Sequence, residues 1–228
     1  MTRNILAVFV VVVLAATMAV AQTVVGSKHD LSTGGGIIDR SRAPNAESQV
    51  CIFCHTPHQK GMTTKPLWNK TLSSQATYGI YANTTINATD ITDIGLGTGV
   101  SNLCMSCHDG TVAVNSLGNR STVGTPTMGT GNELNPLFQI ANTREAYMGT
   151  DLTNDHPINF TYNAALATAD GGLQTPVDAN WVDAAHTIPL YTAKVQCASC
   201  HNPHNNVNGS FARVSNAASA LCMKCHIK

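Results

Sequence analysis

Eight cysteines fall into four pairs, Cys51/Cys54, Cys104/Cys107, Cys197/Cys200 and Cys222/Cys225, and a histidine follows each pair directly: His55, His108, His201 and His226. Thiols at i and i+3 with an imidazole at i+4 can share one face of a single helical turn. Such a trio can form two thioether bonds to the vinyl groups of a haem and give its iron one axial ligand, which makes Cys-x-x-Cys-His the attachment signature of c-type haem. Two other chemistries use paired thiols. Four thiolates make a zinc ribbon, and oxidised pairs make the disulfide frameworks of exported proteins. Neither needs a histidine after every pair. Nine histidines in 228 residues do not place four at that one position by chance, and no cysteine is left over. The sequence therefore predicts four covalently bound haem c groups.

What a haem does depends on its second axial position: histidine lowers the potential, methionine raises it, and an open position permits chemistry on small molecules. Five further histidines are available: His29, His58, His156, His186 and His204. Met105 and Met223 sit inside attachment motifs, and Met62, Met128 and Met148 share no recurring context. Four bis-histidine irons are expected, six-coordinate, of low potential and suited to carrying electrons.

Two of these histidines stand in a repeat. Residues 51–58 read CIFCHTPH and 197–204 read CASCHNPH, followed by LCMSCHDG at 103–110 and LCMKCHIK at 221–228. The second histidine of each octet is too close in the chain to reach the far side of the same iron. Pro57 and Pro203 bias the preceding residue to extended backbone and swing His58 and His204 away. The expected assignment gives His58 to the iron of Cys104/Cys107 and His204 to that of Cys222/Cys225. By their position ahead of each unit, His29 goes to the first iron and His156 to the third, with His186 structural. Asp30 and Asp155 are the nearest carboxylates to orient the rings of His29 and His156.

The elements that must hold these groups are few. Charged residues make up 11% and aromatic residues 5% of the chain, so the side chains offer no obvious large core, and haem is expected to fill it. Gly, Thr, Asn and Pro recur between 59 and 103 and between 110 and 155, against long helices or strands. Each attachment motif predicts one helical turn, and residues 215–226 predict a genuine helix. The fold class expected is a multihaem cytochrome c, loop-rich with short helices around the CxxCH motifs, little β structure and a haem-templated core. Residues 1–21 have a positive Arg3, an apolar run and Ala19-Val20-Ala21, the pattern of a cleaved signal peptide rather than a retained anchor. No later stretch is long and apolar enough to span a membrane. After residue 21 the chain carries 12 basic and 13 acidic residues, a formal charge of −1, with no basic field for nucleic acid. A first paired-haem module over 22–150 and a second over 151–228 are expected.

The order SKHDLS, CIFCHTPH, PLWN, LCMSCHDG, DHPI, CASCHNPH, LCMKCH resembles the doubled-CXXCH multihaem c-type cytochromes, in size those of the OmcE-type extracellular kind from metal-reducing bacteria. The resemblance implies a head-to-tail homopolymer whose haems stack into a conductive filament, with one axial histidine donated by the next subunit. It also implies an extracellular or cell-surface location and delivery to redox partners, metal oxides or electrodes. On the residues themselves, His29 precedes Gly34-Gly35-Gly36, so it reads as part of a pliable arm able to reach its own chain or a neighbour. An electron carrier is expected rather than an enzyme, with a soluble periplasmic shuttle as the alternative. A multihaem reductase needs an open iron, which a surplus of distal histidines disfavours.

Overall fold

The computed structural model describes residues 24–56, 67–96, 99–119 and 124–227. Among them regular structure is sparse. Strand β1 (Ser41–Arg42) pairs antiparallel with β2 (Thr127–Met128), Ser41 opposite Met128. Three α-helices follow the chain: α1 (Val100–His108), α2 (Ala164–Asp170) and α3 (Cys197–Cys200). Two of the three carry an attachment motif. The other two motifs form 3-10 turns at Cys51–Phe53 and Cys222–Lys224. Among the described residues, no helix is long and apolar enough to cross a membrane.

Local chemistry explains where these elements start and stop. The Asn163 side chain accepts the Leu166 N–H at 2.9 Å to start α2, and Gly171, at φ 70°, closes it. In α3 the Ser199 hydroxyl accepts the Gln196 N–H at 3.0 Å. After α1 the chain turns at Gly110, φ 71°, where a Cβ would fall 2.2 Å from the Tyr147 ring. The predicted helix over 215–226 does not form. Its residues make two separate turns, with Ala218 and Ser219 at φ 51° and 61°. Ser215 takes the Ala217 N–H locally, at 3.2 Å. The Ala-rich turn buries none of its residues, so packing does not restore the helix.

Asp30 is buried and its carboxylate accepts the N–H groups of Ser32 and Gly26 and the Ser32 hydroxyl. This corrects the pliable-arm expectation. A Cβ on Gly35 would lie 2.0 Å from the Asp30 carbonyl, and one on Gly36 2.3 Å from that of Ser27. These glycines allow backbone to pack on backbone, and Asp30 ties the segment that carries His29.

No large apolar core exists among the described residues. There are three small clusters instead: Phe53, Val114, Met128 and Leu134; Tyr78, Ile94, Met105 and Leu152; and a larger one around Phe160, Tyr162, Val182, Ile188 and Val195. Ala88 belongs to that third cluster, with Ile86 and Ile91 against it, so apolar contact crosses the expected module boundary at 150.

A polar knot joins α1 to α3. The Ser101 hydroxyl and N–H both donate to Gln196 Oε1, and Cys197 N–H donates to Ser101 Oγ at 3.1 Å. Gln196 Nε2 donates in turn to Asn159 Oδ1 at 2.8 Å. Ser101 is fully buried and Gln196 nearly so.

Asp39, also fully buried, accepts the N–H groups of Asn132 (2.8 Å) and Leu134 (2.9 Å), fixing that loop beside β1. Burial opposes its ionisation, but these hydrogen bonds outweigh it and hold the carboxyl below its ordinary value. Asp183 receives Lys224 Nζ at 2.8 Å and the Thr187 hydroxyl and N–H. There too burial is outweighed, and the carboxyl is held well below its usual range.

Ser101→Val should leave the Gln196 carbonyl and the Cys197 N–H short of a partner and cost about 2 kcal/mol, read as a lower urea midpoint at unchanged slope. Because both carboxyls are depressed, the stability they contribute is whole above the unfolded value of about 3.9. It is lost as the pH falls through their folded values. Urea midpoints of Asp39→Asn and Asp183→Asn should therefore lie below the parent's at neutral pH and converge on it in acid.

Candidate functional site

Each attachment motif is one helical turn. In three of them the histidine N–H closes on the carbonyl of the first cysteine: His55 on Cys51 at 2.8 Å, His201 on Cys197 at 3.1 Å, His226 on Cys222 at 2.9 Å. The remaining motif continues α1 through Cys104, Cys107 and His108. The turn of α3 ends at His201, already in extended backbone at φ −114°, ψ 140°. That break lets Asn202-Pro203 lead His204 off in a new direction.

The ring nitrogens are oriented by carbonyls. His108 Nδ1 lies 2.7 Å from the Ala146 carbonyl, His201 Nδ1 2.9 Å from that of Ser210, and His156 Nδ1 2.9 Å from that of Pro157. His29 bonds to the Pro203 carbonyl. A proton held on Nδ1 leaves Nε2 with its lone pair, as an axial ligand requires. The expected carboxylate partners do not take this part: Asp30 is spent on backbone N–H groups, and His156 turns to a carbonyl. Burial, and then His108 beside it, lowers His29 to about 4, so its imidazole is neutral.

Three pairs of histidine rings lie close together. His55 and His204 have centroids 5.9 Å apart, His29 and His108 6.1 Å, His156 and His226 6.3 Å. An iron between two imidazoles needs about 2.0 Å to each nitrogen. Adding about 1.1 Å from nitrogen to ring centre gives centroids about 6 Å apart, so the spacing fits a bis-histidine iron. These pairs differ from those expected. His204 stands by His55 rather than by the last motif, His29 by His108 rather than by His55, and His156 by His226 rather than by His201. Sequence order suggested nearest-module partners, but the packing of α1 on α3 brings the second octet to the first motif. His58 lies outside the described residues. His186 stacks on Trp181 at 4.9 Å, a packing contact.

The sulfurs also suit haem. All eight thiols among the described residues are free of disulfides. Burial pushes Cys54 up to about 12 and Cys225 up to about 12, keeping these thiols neutral. Among the described residues no group of three or more His, Cys, Asp or Glu side chains converges as a bare metal ion would need. His156 and His226 share a cavity of about 130 Å³ whose largely apolar lining includes Phe160, Leu173, Ile188, Cys200 and Cys225.

The motifs are neighbours in chain order. Cys54 and Cys107 pack against one cluster. The thiols of Cys104 and Cys197 are neighbours across the α1–α3 joint, and this neighbour together with burial raises Cys104. Cys200 and Cys225 line one cavity. The first cysteine of each terminal motif, Cys51 and Cys222, is exposed.

Several residues of the site were missed in the sequence. Phe211 stacks on the His29 ring at 4.1 Å and 11°, and Trp68 meets His55 edge-on at 6.0 Å. In a chain with so few aromatic residues, each one near a motif was a usable signal. Met105, inside its attachment motif, and Met128, which shares no recurring context, are both buried in apolar clusters.

Residues 191–228 match the family described as the doubled CXXCH motif. No curated protein gives a significant match to the chain. The family match and the geometry agree at the coarse level: this segment carries the doubled CXXCH motif of multihaem c-type cytochromes, which bind haem covalently and transfer electrons.

Proposed function

We propose that the chain is a tetrahaem c-type cytochrome that passes electrons along four bis-histidine haems, and that it does so as the subunit of an extracellular filament. The observation that carries this reading is the chain-order adjacency of the four motifs, with one exposed cysteine in each terminal motif and neighbouring cysteines at each joint. Bound haem supplies the redox-active iron. The protein's part is to attach it through Cys51/Cys54, Cys104/Cys107, Cys197/Cys200 and Cys222/Cys225, to give each iron its motif histidine, and to fix orientation and burial. The ring nitrogens are already turned for this by backbone carbonyls.

A relay with both ends at the surface supports a head-to-tail arrangement. The last haem of one copy can then meet the first of the next, and a contact of this kind that does not close makes an open filament. One axial histidine crossing between copies would reinforce the contact. The apolar leader at 1–21 supports export from the cytoplasm as a cleaved signal. Paired haem modules over 22–150 and 151–228 then form one relay that delivers electrons to external acceptors such as metal oxides, electrodes or redox partners.

Electron microscopy of material sheared from cell surfaces, with a pyridine haemochrome count on the same sample, tests this directly. Filaments with four haems per chain are the expected result. Dispersed low-spin monomers with four haems would instead make the protein a periplasmic shuttle. A count below four would overturn the tetrahaem reading, and rapid turnover of a small oxyanion at an open iron would make it a reductase.

A further inference from the structure

The three histidine ring pairs differ in angle as well as in membership. The planes of His55 and His204 lie 19° apart, those of His29 and His108 65°, and those of His156 and His226 78°. Angle matters to the iron because each imidazole donates π density into the iron d orbital perpendicular to its plane. Parallel rings load one orbital of the pair and split it from its partner. Crossed rings load both equally and leave them nearly degenerate, so orbital angular momentum survives and the g anisotropy is extreme.

Resting on the haem reading above, we propose that His204 of the second octet is the distal ligand of the first iron, His29 that of the second and His156 that of the fourth. These ligations place the first iron in the parallel-ring class and the second and fourth in the crossed-ring class. Haems one and two are therefore completed by residues held in the other half of the chain: His204 belongs to it outright. His29 is pinned to it twice, by the Pro203 carbonyl and by the stacked Phe211 ring.

The angles are fixed by packing rather than left to rotate. His108 is held through Nδ1 to Ala146, and His156 through Nδ1 to Pro157. The Trp68 ring stands edge-on to His55, at 84°. A ring so held keeps its plane when iron enters between the pair.

Electron paramagnetic resonance of the frozen, fully oxidised holoprotein tests the proposal, with difference spectra between variant and parent isolating the iron affected whatever the remaining haem contributes. His204→Ala should remove one rhombic low-spin signal and add one high-spin signal, at an unchanged covalent haem count. His29→Ala and His156→Ala should each remove a low-spin signal of large maximal g value instead. His204→Met keeps a sixth ligand and guards against misfolding; it should remove the same rhombic signal while adding the long-wavelength methionine–iron charge-transfer band. Loss of a large-g signal in either His204 variant, or an unaltered low-spin spectrum, overturns the assignment. The haemochrome count separates this failure from that of the haem reading, because a wrong pairing leaves the count intact.

Discussion

The buried hydroxyl of Ser101 is the point on which the arrangement of the motifs depends. It donates to the Gln196 side chain and accepts the N–H of Cys197, so the start of α1 and the start of α3 are locked together in the buried interior. Polar groups sealed in this way are costly to leave unmatched and therefore define one docking geometry rather than a family of them. With that joint set, Cys104 meets Cys197 and the second octet is brought to the first motif. The short turns at either end follow from the same contact.

Around this joint, the protein relies little on regular structure. Among the described residues three small apolar clusters replace a single core, and buried carboxylates such as Asp39 and Asp30 gather loop N–H groups that strands or helices would otherwise pair. Under the tetrahaem reading proposed above, haem supplies buried surface that these side chains do not. The histidine pairs with centroids about 6 Å apart are where those haems would sit.

The sequence made the attachment residues readable because covalent chemistry imposes a fixed spacing, i, i+3, i+4, which no other demand on the chain would repeat four times. The short helical turns and the scarcity of strands were readable for the same reason and from the Gly, Thr and Asn content. Ring partners were not readable. His204 and His55 are brought together by a joint made of Ser101 and Gln196, two residues with nothing unusual in their sequence context. The helix expected at 215–226 failed because Ser215 and a run of small exposed side chains gave it neither a clean start nor a packed face. The glycines after His29 look like a flexible spacer in sequence, and only the clash that a Cβ on Gly35 would make with the Asp30 carbonyl shows that they are there for close packing.

The contact between Cys104 and Cys197 bears on how the molecule is made. An enzyme that forms thioether bonds needs open access to both sulfurs of a motif, and in the closed joint these two face each other with their flanking turns packed together. Haem attachment at either of these two motifs would therefore have to precede the docking of α1 on α3.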